Sequence, residues 1–92
     1  MNLTIKSHLV STGGDYYEIV GEVINHSSIP AEFVKIVATF RSSMGVVIGT
    51  DVTYTDIDII QAGSTAPFKL STYPHKISPP ISYDLQVQAR AY

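Results

Sequence analysis

Catalysis, metal binding and ring stacking each need particular side chains, and this chain offers few of them. Its imidazoles are His8, His26 and His75, the side chains best suited to proton transfer near neutral pH. A Ser-His-Asp set is defined in space rather than by chain order. Yet each histidine sits beside a turn or on the outward side of the alternating pattern, so all three read as solvated. No G-x-S-x-G, H-E-x-x-H, Walker loop or G-x-G-x-x-G occurs; those motifs fix a nucleophile, a zinc ion or a phosphate by backbone geometry. Cysteine is absent, which removes disulfides, thiol catalysis and Cys-based zinc together. The expectation is a protein that is not an enzyme and uses no cofactor.

Asp51, Asp56 and Asp58 are the acids closest together in sequence. Hard cations such as calcium want several oxygens at once. This spacing matches no calcium loop and lacks the glycine such a loop turns on, so the acids read as solvated and no metal site is expected. Sugar binding would need exposed aromatic faces with polar neighbours. Tyr16, Phe33, Tyr73 and Tyr92 are out of phase with the core pattern and form the candidate interaction surface. They are spread over different strands, so isolated surface rings are the plainer reading, with carbohydrate binding as the alternative. Asn2-Leu3-Thr4 and Asn25-His26-Ser27 have the form of glycosylation sequons.

Something must position these residues, and composition limits what it is. The chain has 92 residues, 45% of them hydrophobic, with a formal net charge of -2. That length holds one domain, 1–92, with roughly 60–65% of the unfolded surface buried and one thin core. Two surplus negative charges and no basic cluster make nucleic acid a poor partner. No apolar run approaches the ~20 residues of a membrane helix. Met1-Asn2-Leu3-Thr4 leads straight into alternating residues rather than a signal peptide, which fits a domain excised from a longer protein.

Val, Ile and Thr number 9, 11 and 8, against 4 Leu. β-Branched residues suit a pleated, half-buried surface. Ile81–Tyr92 alternates for its whole length: Ile81, Tyr83, Leu85, Val87, Ala89 and Ala91 on one face, polar residues and Tyr92 on the other. Tyr17, Ile19, Gly21 and Val23 share a face in 16–25, and Val34, Ile36, Ala38 and Phe40 in 33–41. Val46, Ile48, Val52 and Tyr54 line up in 46–55, with Asp51 and Thr53 opposite. Phe68 and Leu70 face in over 66–72. Leu3, Ile5 and Leu9 lie on one side of a less regular run over 3–10.

Turn chemistry separates these runs. Gly13-Gly14-Asp15, His26 to Pro30, Ser42-Ser43-Met44-Gly45, Gln61 to Ser64 and Pro74 to Pro80 fall between them. Gly45 can take a positive φ in a tight hairpin. Asn25 can bond its own backbone to start the following turn. Gly21 marks a bulge or the close approach of a facing aromatic ring, and Tyr83 is either a tyrosine corner or a plain core tyrosine. Tyr54–Gly63 reads as the crossover between sheets, with Ile57, Ile59 and Ile60 plugging the core edge. The pattern predicts an all-β, immunoglobulin-like antiparallel β-sandwich of six to seven strands. Leu3–Val10 and Ala66–Thr72 are the candidate edges, where Lys6 and Pro67 act as protective devices that favour a monomer.

Ile19-Val20-Gly21-Glu22-Val23-Ile24-Asn25 resembles the opening stretch of FxLYD domains. Val34 to Phe40, followed by Gly45 and Val46 to Thr50, is similar to that family's central hairpin. Ile60-Gln61-Ala62-Gly63-Ser64-Thr65-Ala66-Pro67-Phe68 is similar to its glycine turn, and Tyr83 to Val87 to its last strand. Thr39, Phe40 and Arg41 stand where the family's naming motif has Leu, Tyr and Asp, and Ala62 stands for the usual Pro. The resemblance implies an immunoglobulin-like module of prokaryotic secreted or surface proteins, with no catalytic residues. Its partners would be another protein or neighbouring domains of the same chain.

Overall fold

Alternation every second residue buries one face of an extended strand, and two such faces can close on each other. A computed structural model of the chain describes residues 1–13, 16–72 and 81–92, leaving aside the side chains of 7–13, 16, 17 and 81. These described residues contain seven strands: β1 (Leu3–Gly13), β2 (Tyr16–Asn25), β3 (Ala31–Ser42), β4 (Val47–Tyr54), β5 (Ile59–Ile60), β6 (Thr65–Thr72) and β7 (Ile81–Ala91). All pairings among them are antiparallel, in two sheets. One sheet has the order β1-β2-β6. In the other, β3 is central, with β7 along one side and β4 then β5 along the other. The expected β-sandwich is the observed architecture. The edges expected at β1 and β6 are the outer strands of the three-stranded sheet.

The core lies between the two inner faces. Ile19 and Val23 of β2 and Ala66, Phe68 and Leu70 of β6 meet Ala31, Val34, Ile36, Ala38 and Phe40 of β3 and Ile60 of β5. The row read from β3 in sequence is buried throughout. Gly21 lies directly across from Phe68 in the β2–β6 ladder, so an aromatic side chain stands beside the position that lacks one. Tyr83 packs its ring against Phe40, with centroids 6.5 Å apart. Burial raises its phenol above the usual tyrosine range.

Two turns need a left-handed residue. Gly45, at φ 83°, closes the β3–β4 hairpin, where its N–H donates to the Ser42 carbonyl and the Ser42 N–H to the Val46 carbonyl. Gly63, at φ 77°, occupies the third position of the Gln61–Ser64 turn, closed by Ser64 N–H to the Gln61 carbonyl at 3.0 Å. A positive φ there is the mark of a type II turn.

Three bulges interrupt the ladders, and the first two overturn part of the sequence reading. In β4, Phe40 pairs with Gly49 but Arg41 with Val47, which leaves Ile48 as an inserted residue. The insertion flips the side-chain phase. Beyond it Asp51 and Thr53 turn toward the core side, while Val52 and Tyr54, expected inside, are exposed. Val46 is exposed in the turn, and Ile48 alone of the expected row packs on the core. In β1 the register shifts between Ile5 and Ser7, so Ile5 pairs with Val23 but Leu9 with Val20. Leu9 therefore does not share a register row with Leu3 and Ile5. In β3, Phe33 and Val34 together stand opposite Ala89, between the pairs Glu32–Arg90 and Lys35–Gln88.

Candidate functional site

The β3 bulge forms one wall of a concave surface. Phe33 sits at φ 52°, in the left-handed region, where a bulky L residue is a steric outlier. The first position of such a bulge is usually glycine. Here it is a phenylalanine whose ring points out of the fold, 58% exposed. The Arg90 guanidinium lies 4.3 Å from the ring centroid, and its Nε donates to Glu32 Oε2 at 3.1 Å.

The opposite wall comes from the chain leaving β4. Thr55 donates its N–H to the Val34 carbonyl, and Asp56 donates its own to Pro67 in the other sheet. Thr55 Oγ1 donates to the Ile57 carbonyl at 2.7 Å, holding the Asp56–Asp58 segment in a tight bend. The chain then rejoins β3 as β5, at Ala31 and Glu32. Between departure and return lies a groove of about 560 Å³ lined by Glu32, Phe33, Tyr54, Thr55, Ile57 and Asp58 together with Val34 and Ile59. Tyr54 is 56% exposed and Ile57 46%. The floor is thus aromatic and aliphatic, and Glu32 and Asp58 give it an acidic rim.

Below the groove the crossover is pinned by one side chain. Asn25 is 0% exposed. Its Nδ2 donates to the carbonyls of Ile29 and Ile60 at 2.9 and 3.0 Å, and its Oδ1 accepts from the Ser27 N–H at 2.9 Å. The last bond is the turn-starting contact expected from sequence. The bond to Ile60 ties β5, and with it the far wall of the groove, to the end of β2, and the bond to Ile29 holds the β2–β3 connection. A folded chain cannot present this buried amide as a glycosylation acceptor.

Of the candidate interaction residues whose side chains are described, Phe33 lines the groove and Tyr92 does not. Tyr92 is exposed, its N–H bonded to the Pro30 carbonyl at the end of β7. Tyr73 lies outside the described residues, and Tyr16 is described in its backbone only. Tyr54 and Ile57 are members that sequence reading assigned to the core. Ile57 is exposed rather than a plug; Ile60 fills that role, and Ile59 is half-buried. The signal that could have found them is local: two aspartates around Ile57 mark a segment leaving the sheet.

Asp51 accepts from the Val52 N–H next to it at 2.9 Å. No group of three or more His, Cys, Asp or Glu converges on a metal-sized site among the described residues. His26 Nε2 lies 2.9 Å from Thr4 Oγ1 on the exposed surface, His8 stands opposite Gly21 in the β1–β2 ladder, and His75 is outside the described residues. No family model, no curated protein and no solved structure matches the chain.

Proposed function

We propose that the chain is a non-enzymatic interaction module whose working surface is the Phe33–Tyr54–Ile57 groove. The observation that carries this reading is the conformation of Phe33. A left-handed bulge residue with a large exposed ring contributes little to folding, and strained residues of this kind cluster at binding surfaces. An aromatic and aliphatic floor with acidic residues at its edge suits an apolar side chain carried on a basic peptide segment. The resemblance to FxLYD domains supports a setting on a secreted or cell-surface protein, as one module of a longer chain.

Panning a random peptide library against the chain tests this reading. Enriched peptides should pair an apolar anchor with Lys or Arg, and Phe33→Gly should abolish their capture. Failure to enrich such peptides, or capture indifferent to Phe33→Gly, would overturn it. Carbohydrate binding is the second reading, favoured by two exposed rings beside Glu32 and Asp58. A glycan array giving saturable binding lost in Tyr54→Ala would select it.

A further inference from the structure

Among the described residues β3 is the sole ladder partner of β7. The inward row of β7 shows the consequence. Tyr83, Leu85, Val87 and Ala89 are half-buried, while the β3 row beside them is fully buried.

The other outer strands carry features that discourage pairing with a further strand. β1 has Lys6 and the bulge between Ile5 and Ser7. β6 has Pro67 and Lys69, and β4 has the Ile48 bulge and the inward Asp51. Lysine, proline, bulges and inward charges are the devices that keep edges from pairing. β7 runs eleven residues with no Pro, no Lys and an outward row of Ser82, Asp84, Gln86, Gln88 and Arg90.

We infer that the β7 edge pairs with β7 of a second copy of this chain, antiparallel about a two-fold axis at Val87. Charge complementarity selects the partner and the register. Asp84 and Arg90 lie equally far from Val87, so this register alone sets each Asp84 opposite Arg90 of the other copy, twice per dimer. Gln86 then faces Gln88, and Leu85 faces Ala89 on the inner row. Within one chain Arg41 Nε donates to Asp84 at 3.0 Å and Arg90 Nε to Glu32 at 3.1 Å. Each contact engages one donor of a five-donor guanidinium, so the dimer strings Arg41, Asp84, Arg90 and Glu32 into an alternating line of charge. Directly opposed unlike charges favour a strand pair and like charges oppose it.

Sedimentation equilibrium of the 92-residue chain tests this with two exposed charge reversals. The wild type should approach about 20 kDa at high concentration, twice the 10.0 kDa chain. Asp84→Arg alone and Arg90→Asp alone should each weaken self-association by about tenfold or more, with unchanged circular dichroism. Mixing the two variants should restore the dimer, because the mixed pair has opposite charges at both contacts. A wild type that stays at 10.0 kDa at every concentration, a dimer indifferent to both reversals, or a mixture no tighter than its components would overturn the inference.

Discussion

Arg90 and Phe33 form a stacked pair, the guanidinium carbon 4.3 Å from the ring centroid. The same guanidinium bonds Glu32, the residue before Phe33. One side chain of β7 therefore grips Phe33 of the β3 bulge and the residue before it, which fixes the ring at one wall of the groove. Arginine suits this because its flat face stacks while its edge donates.

Arg90→Lys keeps the charge but loses the simultaneous stack and bond. Exposed cation–π and ion-pair contacts are each worth about 0.5–1 kcal/mol. Urea unfolding should show a loss of about 1 kcal/mol. An unchanged midpoint would mean that Arg90 does not hold the bulge.

Asn25 is a costly polar side chain to remove. Asn25→Ala strands the buried Ile60 carbonyl and two part-buried groups, the Ile29 carbonyl and the Ser27 N–H, and each unsatisfied buried group costs about 1–3 kcal/mol. The expected loss is about 3 kcal/mol or more by urea titration. Asn25→Asp, of equal size, should also destabilise at pH 7, since a carboxylate would face two carbonyl oxygens. A cost under about 1 kcal/mol for either variant would contradict the clamp.

Alternation alone makes β3 and β7 legible, because each pairs regularly over the stretch that carries its inward row. The β4 phase was hidden. Ile48 becomes an inserted residue through its lack of a partner on β3, and no property of residues 46–55 announces that. The groove inherits that blindness in part: Tyr54 faces out because of the Ile48 bulge, whereas Phe33 is legible as a ring out of phase with the core row. Asn25 and Gly45 are readable because their roles are local, a side chain reaching two residues on and a left-handed turn position.

Gly63 is an uncomplicated test of the type II turn. A Cβ there meets nothing within 4 Å, so Gly63→Ala has only a backbone penalty, about 1–2 kcal/mol. Proline at the preceding position pre-sets the turn, so Ala62→Pro should stabilise by about 0.4–1 kcal/mol. Thermal melts showing the reverse order would refute the turn assignment.

Tyr83 links stability to alkaline pH. Burial raises its pKa in the fold, so the folded state favours the neutral phenol. That contribution is complete below the unfolded value near 10 and is lost as pH climbs through the higher folded value. The wild type should therefore lose stability relative to Tyr83→Phe above about pH 10. Parallel stability–pH curves for the two proteins would remove burial as the cause.

The central claim is that Phe33 serves the groove rather than the fold. Phe33→Gly removes a left-handed Cβ worth about 1–2 kcal/mol, against roughly that much from added chain entropy and the lost cation–π contact. Urea unfolding of Phe33→Gly should fall within about 1 kcal/mol of wild type, and Phe33→Val, β-branched at the same φ, should be less stable than the glycine variant. A loss of about 3–5 kcal/mol in Phe33→Gly, the cost of deleting a core aromatic, would contradict the account.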